Sequence, residues 1–172
     1  MPDSLPQLLQ YLPRDIALPN PHAAVIHFPI ALLAAAFLFD VVCLFIRRFN
    51  WIDRAATALY VLGTLGLGGA YLTGRMAEKS VGTLAAQAEI TLAEHEDLAL
   101  ITLIAAAVLA LLRFLVSWLA RRDRLITFGF FRLLALLAAP CVLFFLALTA
   151  DHGGALVFRH GVAVGVEAAA ED

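Results

Sequence analysis

Four apolar runs predict an all-α integral membrane protein, an up-down four-helix bundle. A spanning helix needs roughly 20 apolar residues, and the chain supplies such runs at about residues 27–46, 55–72, 98–119 and 125–149. Composition points the same way: of 172 residues, 62% are hydrophobic and 15% charged, with mean hydropathy +0.88. A soluble domain is nearer half apolar and a quarter charged, so lipid is the expected solvent for the excess. The arginines are the third observation. Arg47, Arg48 and Arg54 lie between the first two runs, and Arg121, Arg122 and Arg124 between the last two. Short basic loops stay in the cytoplasm, which places both termini on the outer side of the membrane. Three regions are expected: a Pro-rich outer segment over residues 1–26, the bundle over 27–149, and an outer tail over 150–172.

Each element has its own signals. The first run (HFPIALLAAAFLFDVVCLFI) carries Pro29, read here as a first-turn proline whose missing N–H costs nothing. Before it, Pro2, Pro6, Pro13, Pro19 and Pro21 leave room only for a short interfacial helix near residues 8–12. The opening residues are polar and Pro-rich, not a basic stretch followed by an apolar one, so no cleavable signal peptide is expected. Thr91 and Glu94 suggest a capping box that starts the third helix ahead of its apolar run. Pro140, inside the fourth run, is expected to kink it.

Several function classes drop out. Net charge is -2 and the basic residues are scattered, so there is no nucleic-acid footprint. Cys43 and Cys141 sit singly in apolar runs and make no CxxC or CxxCH pattern, which excludes covalent c-type haem and a cysteine zinc site. Ser4, Ser80 and Ser117 lack a nucleophile-elbow context, and no phosphate-binding glycine loop follows a strand. An electron-transfer or accessory subunit is therefore expected rather than a stand-alone enzyme.

All five histidines fall at the expected outer boundary: His22 and His27 at the first run, His95 at the third, His152 and His160 after the fourth. Neutral imidazole ligates haem iron, copper, zinc and non-haem iron, and a bundle brings helix ends together. His27 and His95 are the first candidates to face each other and ligate one haem b iron. His22, His152 and His160 are further ligands or propionate donors, and Arg159 a further propionate partner. The bland reading is that histidines suit membrane interfaces and helix caps. In the second run, Gly63, Gly66, Ala70 and Thr73 line one face. Such a stripe admits a neighbouring helix, the commoner use, or a flat porphyrin. Asp40, inside the first run, needs a partner at its depth, and Arg113 and Arg132 are the candidates. Glu78, Glu89, Glu94, Glu96 and Asp97 near His95 complement the helix dipole or, with His95, hold a divalent metal.

Two stretches, NPHAAVIHFPIALL followed by Phe39–Asp40, and DHGGALVFRHGVAV, resemble the bacterial predicted-membrane-protein family catalogued as domain of unknown function 2231. The resemblance runs from Pro21 to Val166. His22, His27, Asp40, Gly153, Gly154, His160 and Gly161 fall on its motif positions, and His95 on a histidine expected near the third span. Ala23, Phe158 and Ala163 replace the family's proline, tyrosine and glycine. The resemblance implies four spans and redox surroundings, because relatives occur beside Rieske or cytochrome c domains. The expectation is a membrane b-type cytochrome or haem-bearing subunit, with lipid, other redox subunits and a further copy of itself as candidate partners. The alternatives are a non-haem metal protein and a cofactor-free accessory subunit.

Overall fold

The computed structural model describes residues 21–45, 50–79, 81–120 and 125–162. Four helices make up nearly all of them: α1 Pro21–Phe45, α2 Asn50–Glu78, α3 Ala86–Ala120 and α4 Leu125–Phe158. Each is long and apolar enough to cross a membrane, and no strand occurs among the described residues. The suggested helix at residues 8–12, the tail beyond residue 162 and the loop arginines 47, 48, 121, 122 and 124 lie outside the described residues.

The helices outrun their apolar stretches. At 1.5 Å per residue, the 35 residues of α3 reach about 50 Å, well beyond a hydrocarbon layer of about 30 Å. Two cap assignments change accordingly. Pro21, not Pro29, opens α1, and Pro29 lies in its interior, where its ring packs on Gly66 of α2. A helix-interior proline leaves the carbonyl four residues back without its N–H donor, and this one is retained where its flat ring fits a glycine. Thr91 is likewise no cap: α3 begins at Ala86, and the Thr91 hydroxyl donates back to the Gln87 carbonyl at 3.1 Å.

α1 packs along α2 and α3 along α4, α2 joins α3, and α1 touches α4 least. The α2–α3 seam carries polar links. Thr57 and Ser117 hydroxyls meet at 2.8 Å, and the Thr64 hydroxyl donates to the Ala106 carbonyl at 3.2 Å. Such bonds between spanning helices are each worth on the order of 0.6 kcal/mol.

The core is narrow and built from small residues, with Ala36, Ala56, Ala106, Ala135 and Ala139 buried around Leu33, Tyr60 and Leu109. The outside is greasier than a water-facing surface allows, with Phe28, Phe45, Leu111, Phe114, Phe130 and Phe144 all well exposed. Two charged side chains, by contrast, are buried. Arg113 is 0% exposed and Asp40 4%. This inversion is the signature of a protein solvated by lipid.

Those charges close one end of the bundle. Nη2 of Arg113 lies 2.9 Å from Asp40 Oδ1 and 3.1 Å from Asp53 Oδ1, and Arg132 Nη1 lies 4.0 Å from Asp53 Oδ1. The expected pairing of Asp40 thus exists, as a cluster with one residue from each helix. Asp53 is the member that sequence reasoning missed, because it counted as part of an arginine-bearing loop when it lies within the first turn of α2.

Candidate functional site: a histidine pair on glycine seats

At the opposite end, the starts of α1 and α3 meet the far ends of α2 and α4. His22 of α1 donates from Nδ1 to the Ala70 carbonyl of α2 at 2.8 Å, with the Thr73 hydroxyl 3.4 Å from the same nitrogen. His95 of α3 donates from Nδ1 to the Thr149 carbonyl of α4 at 2.9 Å. The two rings then face each other edge to face, centroids 6.3 Å apart and planes at 84°.

A main-chain carbonyl only accepts, so each of these contacts puts the ring proton on Nδ1. Nε2 is then the basic nitrogen of both neutral imidazoles. That is how a protein fixes the tautomer and orientation of a ligating histidine.

Glycine makes the approach feasible on both sides. A Cβ at Gly74 would meet His22 Cε1 at 3.1 Å, and one at Gly153 would meet His95 Cε1 at 3.0 Å. Gly74 stands four residues after Ala70 and Gly153 four residues after Thr149. Each imidazole therefore lies over the turn whose first carbonyl it binds.

Beside the pair is a pocket of about 320 Å³. Its walls are mainly apolar, with Met76, Leu92, Leu156 and Val157 among them, and both histidines contribute to one side. Arg75 stands on its rim, 3.0 Å from Glu78 and 2.8 Å from Glu96.

The other expected ligands are placed elsewhere. His27 does not face His95. It is exposed, and its Nδ1 donates within α1 to the Ala23 carbonyl at 2.8 Å. The reason is helical phase, because five residues beyond His22 turn the side chain about 140° around the axis. His22 takes the place foreseen for His27. His152 bonds within α4 to the Leu148 carbonyl at 2.9 Å, with Nε2 3.7 Å from Glu94. His160 Nε2 lies 3.3 Å from the Thr91 hydroxyl, on a turn closed by Gly161, whose φ of 64° favours glycine. Arg159 is exposed on that turn.

Gly63 and Gly66 offer no porphyrin slot. A Cβ on Gly63 would come within 2.8 Å of Leu33, and one on Gly66 within 3.2 Å of Pro29. The stripe is the seat of α1, the packing use of small residues, and it extends to Gly74 beneath His22. Sequence reasoning missed Gly74 and gave Gly153 no role. A ring seated on a glycine in another helix leaves no local spacing to find.

Among the described residues, no three His, Cys, Asp or Glu side chains gather as a metal set. The facing pair, His22 and His95, offers two imidazoles.

The family model for domain of unknown function 2231, described as a predicted membrane protein, matches residues 19–166. The chain belongs to this family. No curated protein and no solved structure matches it. For a DUF2231 member, the fold supplies four candidate spans with a buried ion cluster at one end and a paired, backbone-anchored histidine site at the other.

Proposed function

We propose that this DUF2231 protein is a haem b-bearing electron-transfer subunit of the bacterial inner membrane, an up-down bundle with its histidine end on the outer side. The observation that carries this reading is the His22–His95 pair. A metal that took one imidazole from each of two helices would need the rings close together, each with its proton held on Nδ1 so that Nε2 is left to bind. The separation here is 6.3 Å, and both rings hold their protons on Nδ1 toward carbonyls. Two donors are also the set wanted by a metal whose other positions are filled by a macrocycle.

His22 and His95 would hold the iron, and the pocket beside them would shelter one edge of the ring. Haem supplies a one-electron centre when bound. The chain's own residues fix the donors: Ala70 and Thr149 set tautomer and orientation, while the apolar walls keep water away and so tune the potential. Arg159 carries positive charge at the same end, suited to a propionate, whereas Arg75 is already paired with Glu78 and Glu96. Electrons would pass to a quinone, a periplasmic carrier or a partner subunit.

The test is a reduced-minus-oxidised absorption spectrum of detergent-purified protein, with a pyridine haemochrome assay. A b-type spectrum at one haem per chain is expected. A flat spectrum from folded, monodisperse protein contradicts the proposal and leaves the accessory-subunit reading.

A further inference from the structure

The histidine site contains the same small device twice. His22, the Ala70 carbonyl and Gly74 form one copy; His95, the Thr149 carbonyl and Gly153 form the other. The copies keep register along the whole bundle. Adding 73 to a residue number in α1 carries His22 to His95 and Asp40 to Arg113. The same shift carries the buried positions Pro29, Leu33, Ala36 and Cys43 to Thr102, Ala106, Leu109 and Val116, all buried. Adding 79 in α2 carries Asp53 to Arg132, Ala70 to Thr149 and Gly74 to Gly153. It also takes buried Ala56, Tyr60, Gly63 and Leu67 to buried Ala135, Ala139, Val142 and Leu146.

A seam that repeats every seven residues would match itself at several offsets. The histidine, the carbonyl it binds, the glycine beneath it and the charged position fix which offset is meant, and they agree.

We infer that the chain is one helical hairpin used twice, α1–α2 and α3–α4 facing each other across a pseudo-twofold axis, and that His22 and His95 are equivalent donors to a single occupant on that axis. The occupant is a metal centre that takes one nitrogen from each side, and this part rests on the haem reading above. The equivalence of the two rings does not.

The other end is where the halves differ. Matching positions carry opposite charges, Asp40 against Arg113 and Asp53 against Arg132. Two copies of the first hairpin would set Asp40 against Asp40 inside the membrane, and two copies of the second would do the same with Arg113. Opposite charges make only the mixed pair stable. Both halves are thereby locked into one arrangement, with the axis passing between the two imidazoles. The second departure follows from seam chemistry. Thr57, Thr64 and Ser117 link α2 to α3, whereas the matching positions between α4 and α1 are Leu136, Leu143 and Leu44. The looser α1–α4 contact is the result.

The experiment uses full-length protein in lipid nanodiscs, titrated with ferric protoporphyrin IX. Wild type is expected to give one low-spin, six-coordinate complex. His22→Ala and His95→Ala should each convert it to a high-spin form with at least tenfold weaker binding, the two losses agreeing within about threefold, and free imidazole should restore both. Haem binding that depends on only one of the histidines overturns the equivalence while leaving a haem protein. A wild type that binds no porphyrin overturns the haem reading, and the equivalence is then read from ring-¹⁵N spectra of the protein as purified. Both rings are expected to show a protonated Nδ1 and a bare Nε2, with Gly74→Ala moving His22 and Gly153→Ala moving His95. Different tautomers on the two rings overturn it.

Discussion

Arg113 is the most consequential side chain of the buried cluster. Its Nη2 serves Asp40, Asp53 and the Asp53 main-chain carbonyl, the last at 3.3 Å, with no access to solvent. Removing one partner of a buried pair leaves an uncompensated charge, a loss of about 3–5 kcal/mol. Arg113→Met is therefore expected to lower thermal stability sharply in detergent, whereas Asp40→Asn with Arg113→Gln should recover much of it because neither charge remains. A single Arg113→Met change that leaves the melting temperature unaltered would mean that the cluster does not lock the helices. Asp40 and Arg113 were legible from the sequence, since a charge inside an apolar run must find a partner at its own depth. Asp53 was not, because nothing in a loop-like RRFNWIDR stretch fixes where the helix begins.

At the scale of elements, the face between α1 and α2 decides how closely the first hairpin can close. Gly63 and Gly66 meet Leu33 and Pro29 with no space for a side chain, whereas a Cβ on Gly68 would meet nothing within 4 Å. Overpacking a tight contact costs about 1–3 kcal/mol. Gly63→Val should therefore destabilise the bundle by that amount, measured as a fall in melting temperature. Gly68→Ala, on the open side of the same helix, should be neutral or slightly stabilising, since alanine is the better helix former. Equal effects at the two positions would sink the packing assignment. Four helices and the small-residue stripe were readable from hydropathy and spacing. The stripe's occupant was not, since a glycine face accepts a helix or a ring alike. Helix ends were also hidden: hydropathy marks where lipid begins, while backbone hydrogen bonding carries α3 several turns further.

For the whole molecule, the orientation in the membrane rests on which end carries the basic loops. Arg54 and Arg159 are both exposed, toward opposite ends of the bundle. In intact cells, Arg159→Cys is expected to react with a membrane-impermeant maleimide, and Arg54→Cys only after the membrane is opened. The reverse pattern would invert the topology and place the histidines inside. That the histidines sit together at one end follows from their places in the four runs. Which two of them meet does not, because His22 and His27 lie on different faces of one helix and only the packed bundle selects between them. The pairing of hairpins was invisible for a related reason: aligned positions share role and burial more than residue type, with aspartate matched to arginine and proline to threonine.

The most direct measurement is the haem difference spectrum of three single variants, His22→Ala, His95→Ala and His27→Ala, compared with wild type at equal protein. Loss of the b-type spectrum in the first two and its full retention in the third is expected if the facing, backbone-anchored pair holds the iron. A spectrum that disappears in His27→Ala and survives in His22→Ala would contradict that assignment outright.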